Sequence, residues 1–322
     1  MNKKPIIIAL GGNALLQPGQ KGSTEEQREN IKNTLEALFP VMEAGNNVVI
    51  THGNGPQVGN ILLKNDAGEQ LYHLPSSPLD VAVADTQGEI GYLIQSELYN
   101  LLNKKGIKRE IISVNTMVEI NKDDPAFQNP TKRVGKTYYD FNEVEKLRKE
   151  KGWIFKEEIK NNKKGWRRVV PSPEPLDIAN KNTIKLLAQS GAIVIAVGGG
   201  GIPVSVQEGQ LSPEEAVIDK DLASALLALQ INAAQLIILT DVPYVYLDYA
   251  TPNQKELKRI DLMELKKYLK KGKFGEGNMA PKIKAAIKFI ENGGEEVIIT
   301  NEEGISGGFG TRIVNRKMME NI

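Results

Sequence analysis

The sequence predicts an α/β fold with an open, mostly parallel sheet. Short apolar runs rich in β-branched residues, at 6–10, 48–51 and 192–197, have the composition of strands buried on both faces. Longer segments between them place apolar residues three or four positions apart, which is the spacing of one helical face. Because strands and helices alternate along the chain, we expect right-handed crossovers between parallel strands.

Length, composition and charge limit the classes of protein. A chain of 322 residues with 40% hydrophobic residues can build one large domain with an insertion, or two domains. The 41 basic and 40 acidic residues nearly cancel, so composition favours neither a nucleic-acid nor a membrane partner. The absence of cysteine excludes disulfides, thiolate metal sites and a cysteine nucleophile. No apolar segment is long enough to cross a bilayer, and we expect a cytoplasmic protein.

The first two predicted strands each run into a glycine-rich turn. The first strand stops at Gly11-Gly12-Asn13, where paired glycines let backbone approach a ligand closely. A helix follows, with Thr24 and Gln27 at the spacing of a capping box. The second strand runs into Gly53 and Asn54. Ligands of open α/β sheets bind outside the carboxyl ends of the strands, so both turns are candidate binding sites.

A long helix is predicted over 79–102 and a strand over 109–114, after which the composition changes. Residues 119–170 are interrupted by prolines and become dense in Lys, Arg and Glu. We interpret this segment as a surface excursion or a small subdomain inserted in the main sheet. Lys132 lies in a loop of this segment bounded by Pro130 and Gly135, and that loop is either an ordinary solvated loop or a functional one.

The strand at 192–197 ends in four glycines, 198–201, which form either a flexible turn or backbone that lies against a ligand. A helix is predicted after Asp221, with Asp219 or Asp221 as its cap and Lys220 in its opening turn. Taken alone, such a charged triplet is more often an ordinary cap. Its setting, after several glycine-rich strand ends, favours a phosphate site.

The last third contains a second lysine at a predicted helix start. Pro281 suits a first helical turn, which places Lys282 at the beginning of a helix, as Lys220 is. A cation is disfavoured there by the helix dipole, so a shared anion such as phosphate would explain both lysines. The strand at 235–240 is followed by Asp241, Tyr244 and Tyr246. These tyrosines could flank a flat base, although packing in the core or in a hairpin is their commoner use.

Several nucleotide and catalytic motifs are absent. The sequence contains no G-x-x-x-x-G-K-[ST] motif, and Pro203 interrupts the turn at 198–203 where a dinucleotide-binding helix would begin. The two histidines cannot supply a histidine metal cluster or a convincing serine triad.

The glycine-rich and lysine-bearing segments together resemble the carbamate kinases of the amino acid kinase family. The resemblance extends from residue 6 to about residue 314, in the same order, and rests on residues 9–15, 51–59, 129–132, 170–173, 198–204 and 217–225. It implies a single domain over 1–322, a three-layer αβα sandwich with an open, mostly parallel sheet and a protruding subdomain near 119–170, assembled as a homodimer. It also implies reversible phosphoryl transfer between ATP and carbamate, giving ADP and carbamoyl phosphate. The usual role in this family is formation of ATP from carbamoyl phosphate in arginine catabolism.

The resemblance assigns roles to particular residues. Those expected to be catalytic are Lys132, Lys220, Asp221 and Lys282. Those expected to bind carbamate and the phosphoryl group are Gly11, Gly12, Asn13, Gly53, Asn54, Gly199 and Gly200. Those expected in the nucleotide pocket are Asp241, Tyr244, Tyr246 and Met279. Mg²⁺ is expected to arrive with the nucleotide, with no ligand assigned to the protein.

One departure from the family and two alternatives accompany this interpretation. Gly277-Asn278-Met279-Ala280 stands where the family often has Gly-Ser-Met, and we expect an altered nucleotide fit at most. A sister kinase acting on acetylglutamate, aspartate or a nucleoside monophosphate would retain the chemistry, but the Lys132 loop argues against it. A non-catalytic nucleotide sensor would bind ADP without turnover.

Overall fold

A computed structural model of the chain describes residues 3–160, 162–275 and 279–315. The strands are β1 (Ile6–Leu10), β2 (Val48–His52), β3 (Ile111–Ser113), β4 (Met117–Ile120), β5 (Lys132–Tyr138), β6 (Ile154–Lys160), β7 (Lys163–Val170), β8 (Pro175–Ile178), β9 (Ile193–Ile195), β10 (Ile202–Gln207), β11 (Gln210–Pro213), β12 (Gln235–Leu239), β13 (Val245–Leu247), β14 (Lys255–Leu257), β15 (Arg259–Asp261), β16 (Glu296–Thr300) and β17 (Thr311–Val314). The helices are α1 (Thr24–Glu43), α2 (Gly55–Tyr72), α3 (Leu79–Lys104), α4 (Phe141–Lys151), α5 (Lys181–Gln189), α6 (Lys220–Gln230), α7 (Leu262–Lys270), α8 (Met279–Glu291) and α9 (Glu302–Gly307). The predicted departure from the family at Gly277 and Asn278 lies outside the described residues.

The central sheet has the strand order β15-β17-β16-β12-β1-β2-β9-β3. Strand β1 pairs in parallel with β2 on one side and with β12 on the other. Strand β9 extends the parallel sheet from β2, and β3 extends it from β9. Strand β17 runs antiparallel to β16. The predicted open, mostly parallel sheet is therefore confirmed.

Helices cover both faces of this sheet, as residues of β1 demonstrate. Ile7 and Ala9 pack into a cluster that contains residues of α5, α6 and α8. Ile8 and Leu10 pack into a second cluster, with residues of α1 and α3. Successive side chains of a strand point to opposite faces, so a strand that is apolar throughout requires cover on both sides. The three-layer αβα arrangement is confirmed.

Helix α1 begins with a capping box, but not the predicted one. Ser23 Oγ accepts a hydrogen bond from the backbone N–H of Glu26 at 3.2 Å, and the Glu26 carboxylate accepts one from the N–H of Ser23 at 2.9 Å. The predicted pair of Thr24 and Gln27 is wrong by one position. Two overlapping pairs fit the same pattern, and the charged carboxylate of Glu26 also receives the N–H of Gly22 at 2.7 Å.

Residues 132–170 form a separate sheet with the order β5-β7-β6, and helix α4 lies within this segment. Tyr138, Val144 and Phe155 form its small core. Val134 of β5 and Val170 of β7 pack with residues of α2 and α3, which join this sheet to the rest of the protein. The earlier part of the predicted 119–170 excursion differs, because β4 joins another sheet of order β11-β10-β4-β8. The division of the chain into a domain and a subdomain stays a prediction.

Candidate active site

Helix α6 begins at the carboxyl-end edge of the central sheet, and Asp219 caps it. Asp219 Oδ1 accepts hydrogen bonds from the backbone N–H groups of Asp221 at 3.0 Å and Leu222 at 3.3 Å. The sequence allowed either aspartate as the cap, and the structure selects Asp219. The side chain of Asp221 is therefore left for another role, and it is only 5% exposed.

Asp221 binds two lysines that are far apart in the sequence. Lys220 Nζ donates to its Oδ1 at 2.6 Å, and Lys282 Nζ, from the first turn of α8, donates to its Oδ2 at 3.0 Å. The two lysine side chains are 14% and 7% exposed. Two positive charges against one negative leave the cluster with a net charge of +1 in a site largely shielded from water. Such a cluster is suited to binding an anion.

The electrostatics of the cluster follow from burial and from these contacts. Burial raises the pKa of the Asp221 carboxyl, but the ammonium groups of Lys220 and Lys282 outweigh it and bring the pKa down to about 2. Burial lowers the pKa of Lys220, and the neighbouring charge of Lys282 adds to this, against the attraction of Asp221. At neutral pH the carboxylate is ionised and holds both lysine side chains in place.

A cavity of about 440 Å³ lies beside this cluster. Lys282, the predicted residues Gly11, Gly12 and Asn13, and Asp241 after β12 all contribute to its wall. A Cβ on Gly11 would lie 2.7 Å from the carbonyl oxygen of the last residue of β12. Only glycine therefore lets the turn after β1 pack so closely against β12.

The turn after β2 lies next to Lys220. A Cβ on Gly53 would be 3.8 Å from Lys220 Cδ, so this glycine borders the lysine stem. Asn54 Nδ2 donates to Thr86 Oγ1 at 2.9 Å, which fixes the amide side chain. The structure thus brings the turns after β1 and β2, which were predicted to bind a ligand, to the two lysines.

The glycines after β9 fit closely against neighbouring groups of the protein itself. Gly199 has φ +66°, and a Cβ there would lie 2.2 Å from Asn54 Nδ2. Gly200 has φ +91°, and its Cβ would lie 2.3 Å from the carbonyl oxygen of Ile218, which directly precedes Asp219. The glycine run therefore brings β9 close to Asn54 and to the start of α6. Direct contact of Gly199 and Gly200 with a ligand stays a prediction.

A second cavity, of about 520 Å³, adjoins the first at Asp241. Tyr246 and Met279, both predicted for the nucleotide, contribute to its wall. Met279 and Lys282 lie three residues apart in the first turn of α8. One helix start therefore contributes an apolar side chain to one cavity and an ammonium group to the other.

Tyr249 and Lys273, which were not predicted, also contribute to the wall of this second cavity, whereas the predicted Tyr244 does not. Tyr244 packs against Phe309, with ring centroids 5.8 Å apart, and does not belong to the wall of the cavity. Tyr249 does, and its ring centroid lies 5.8 Å from that of Tyr246. In the sequence, the separation of three residues between Tyr246 and Tyr249 was the available signal that Tyr249 belongs to this cavity. Lys273, which pairs with Asp248 at 2.9 Å, carried no comparable signal.

Lys132, the first residue of β5, reaches α6 from the separate small sheet. Its Nζ lies 3.3 Å from Asp219 Oδ2, and its side chain is 47% exposed. The structure therefore brings all four predicted catalytic residues to the start of α6, with Lys132 bound to the capping aspartate rather than to Asp221.

His52, at the end of β2, is a further residue of the site that sequence reasoning did not select. It is 1% exposed, and its Nδ1 lies 2.9 Å from the carbonyl oxygen of Gly53. Burial and the charge of Lys220 outweigh that hydrogen bond and lower the pKa of His52 to about 4. The ring is neutral at pH 7 and adds no charge to the lysine cluster. Its position at the end of a buried strand was the available signal.

Within residues 3–160, 162–275 and 279–315, no three or more Asp, Glu or His side chains form a group that could hold a metal ion. Asp241 is exposed and lines both cavities. Mg²⁺ is commonly held by one or two carboxylates together with substrate phosphates and water, so this arrangement fits an ion carried by a nucleotide. The part of the chain that the structure describes also has no helix long and apolar enough to cross a membrane.

The chain is similar to known proteins along nearly its whole length. Residues 4–301 match the model of the amino acid kinase family. The chain is 49% identical to the carbamate kinase of Pyrococcus horikoshii, over 96% of this chain and 98% of that protein. It is 48% identical to the carbamate kinase of Thermoplasma acidophilum, over 96% and 99% of the two chains. The structure of carbamate kinase from Giardia lamblia bound to AMP-PNP aligns with a TM-score of 0.90 and 38% identity, over 97% of this chain and 99% of that one.

The fold, the two lysines bound to Asp221 and these matches define the class of protein to which the chain belongs. The chain belongs to the amino acid kinase family, and it is a phosphotransferase. Within that family, the relatives from Pyrococcus horikoshii and Thermoplasma acidophilum, which match over nearly their full length, are carbamate kinases.

Proposed function

We propose that the protein catalyses reversible phosphoryl transfer between ATP and carbamate, giving ADP and carbamoyl phosphate. The observation that carries this proposal is the buried cluster in which Asp221 holds Lys220 and Lys282 beside the turn of Gly11 and Gly12. A transferring phosphoryl group spreads negative charge over its oxygens, so catalysis consists mainly of positioning and charge neutralisation.

Each residue then has a role that follows from its position. Lys220 and Lys282 neutralise the charge of the transferring group, and Asp221 fixes the direction of both ammonium groups. Gly11, Gly12 and Asn13 border the same cavity and offer backbone and amide donors to carbamate and the phosphoryl group.

Lys132 adds a further positive charge from the small sheet. No general base is required, because the carbamate oxygen is already anionic at neutral pH. The neutral state of His52 is compatible with this mechanism.

The nucleotide lies across both cavities in this proposal. The base and ribose occupy the cavity with Tyr246 and Met279, and the phosphates extend past Asp241 towards Lys282. Mg²⁺ bound to the phosphates would neutralise part of their charge, with Asp241 as the nearby carboxylate.

We propose a homodimer, supported by the full-length similarity to carbamate kinases and by exposed aromatic side chains on α3, Tyr92 and Tyr99. A cytoplasmic location is supported by the absence of cysteine. Light scattering of the purified protein tests the dimer, and a mass of one chain contradicts it.

The activity is tested in the direction that forms ATP. Purified protein is mixed with Mg²⁺, ADP and carbamoyl phosphate, and ATP is followed with a coupled enzyme. We expect sustained ATP formation that depends on all three additions. Binding of ADP without any ATP would identify a nucleotide sensor instead. ATP formation from acetylglutamyl phosphate or aspartyl phosphate, but not from carbamoyl phosphate, would identify a sister kinase.

A further inference from the structure

The backbone of Lys132 is fixed to the body of the protein next to helix α6. Lys132 is paired across the antiparallel β5–β7 ladder with Val170, the last residue of β7. The next residue, Pro171, accepts a hydrogen bond at its carbonyl from the backbone N–H of Val217 at 3.0 Å. Val217 lies only two residues before Asp219. These two backbone links place the Cα atom of Lys132 beside the N-terminus of α6.

Asp219 uses its two carboxylate oxygens for two different partners. Oδ1 accepts from the backbone N–H groups of Asp221 and Leu222, which fixes the first turn of α6. Oδ2 accepts from Lys132 Nζ at 3.3 Å. A single carboxylate thus joins the helix that carries Lys220 and Asp221 to the lysine of the small sheet.

The ion pair between Lys132 and Asp219 is weak enough for a stronger anion to replace Asp219 as the partner of Lys132. The Lys132 side chain is 47% exposed and that of Asp219 is 17% exposed. Ion pairs with this exposure contribute little to stability, because water screens them and long side chains lose entropy when held. A phosphoryl group carries more charge and more acceptor oxygens than one carboxylate, so it can take over the ammonium group.

We propose that Asp219 is a positioning residue that holds the Lys132 ammonium group at the start of α6 until the transferring phosphoryl group accepts it. This inference rests on the proposed function. Asp219 contacts Lys132 and the helix N-terminus, and acts on the reaction through Lys132. Without the pair, Lys132 samples solvent and reaches the phosphoryl group less often.

The test is a double-mutant cycle between Asp219→Asn and Lys132→Met. Asparagine caps helices as well as aspartate does, but it lacks the charge, and its Nδ2 cannot accept from an ammonium group. We expect Asp219→Asn to lower kcat/KM for carbamoyl phosphate about tenfold when Lys132 is present, and less than about twofold in Lys132→Met. Equal losses in both backgrounds, or no loss in either, would overturn the proposal.

A matched control separates this effect from helix capping. Asp261 caps α7 by accepting from the backbone N–H of Glu264 at 2.9 Å. Asp261→Asn makes the same substitution at a helix cap and should leave kcat/KM unchanged. Its change in Tm provides the reference for Asp219→Asn. If Asp219→Asn does not fold, Asp219→Ser replaces it in the same cycle, because serine also caps helices and carries no charge.

A second measurement does not depend on activity. Competitive acylation with acetic anhydride, read by mass spectrometry, reports how available each lysine amine is. We expect acylation of Lys132 to increase several-fold in Asp219→Asn relative to Lys136 in the same chain. An unchanged ratio would overturn the proposal even if the enzyme turns over. Wild-type protein that forms no ATP would overturn the proposed function, while acylation would still report on the pair.

Discussion

Lys282, in the first turn of α8, donates a hydrogen bond of 3.0 Å to Asp221 on α6, across 61 positions of the sequence. The other oxygen of the same carboxylate binds Lys220 at 2.6 Å. Asp221 therefore fixes the distance between two ammonium groups in a buried site. Helix dipoles disfavour lysines at helix starts, and here the carboxylate compensates for both of them.

We predict that Asp221→Asn greatly weakens both activity and stability. The asparagine is nearly isosteric, but it removes the counter-charge that the two buried ammonium groups share. We expect kcat to fall by at least about 10²-fold and the free energy of unfolding to fall by about 3–5 kcal/mol. Assays of ATP formation and urea denaturation measure the two effects.

The control for this prediction is Asp177→Asn. Asp177 also pairs with a lysine, Lys181, but both side chains are about one-third exposed. The loss of stability there should be below about 1 kcal/mol, because water screens the pair. Equal destabilisation by both substitutions would contradict the importance of burial at Asp221.

Lys132→Ala should lower activity strongly with little effect on stability. The side chain is half exposed, so truncation should change the free energy of unfolding by less than about 0.5 kcal/mol. The rate of ATP formation should fall by about 10²-fold or more, because one positive charge on the transferring group is lost. Lys136→Ala is the matched control, since Lys136 lies in the same strand and pairs with Glu143. A comparable loss in Lys136→Ala would mean that the charge of the small sheet, and not Lys132 itself, matters.

His52 should make the protein less stable as the pH falls from about 6.5 to about 4. Burial lowers its pKa from 6.5 in the unfolded chain to about 4 in the folded protein, so only the unfolded state takes up a proton in this range. Across that range the loss is about 3 kcal/mol in the free energy of unfolding. Below pH 4 the lowered pKa of Asp221, about 2, should remove further stability as that carboxylate is protonated.

Urea denaturation at several pH values measures this dependence. We expect His52→Gln to reduce the slope of the curve between pH 6.5 and 4. His73→Gln, at an exposed position, is the comparison variant. These are the two histidines of the sequence. A curve with the same slope in His52→Gln would contradict the assignment.

Gly200→Ala should be strongly destabilising. The residue has φ +91°, and the new Cβ would lie 2.3 Å from the backbone carbonyl oxygen of Ile218, which cannot move without displacing the start of α6. We expect a loss of about 3 kcal/mol or more, the sum of backbone strain and overpacking. Gly209→Ala isolates the strain, since Gly209 has φ +78° and open space around its Cβ position. Thermal melts of both variants measure the difference, and equal losses would show that packing against Ile218 contributes nothing.

Much of the fold could be predicted because local patterns and global architecture agree. Apolar β-branched runs specified β1, β2, β9 and β12, and the turns after the first three were recognisable by their glycines. The choice between Asp219 and Asp221 as the helix cap, and the capping box of α1, could not be settled from the sequence. Neighbouring residues satisfied the same pattern in both cases, and only the hydrogen bonds distinguish them.

The candidate site was less predictable, because contacts across long sequence separations define it. Tyr244 and Tyr246 were equivalent in sequence, yet only Tyr246 contributes to the wall of the second cavity, since Tyr244 packs against Phe309. The four-glycine run was open to two interpretations. The structure reveals a close fit to Asn54 and Ile218, groups that no local pattern connects to it.

The sequence by itself determined the class of fold. It also predicted the edge of the sheet at which a ligand binds and the residues that could meet a phosphoryl group. Periodicity, glycine conformation and helix-start chemistry act over a few residues and can be recognised locally. Only the tertiary structure decided that Asp221 holds Lys220 and Lys282 while Asp219 holds Lys132. The physical reason is that charge pairing depends on distance and burial, which are fixed when the parallel sheet brings remote helix starts to one edge.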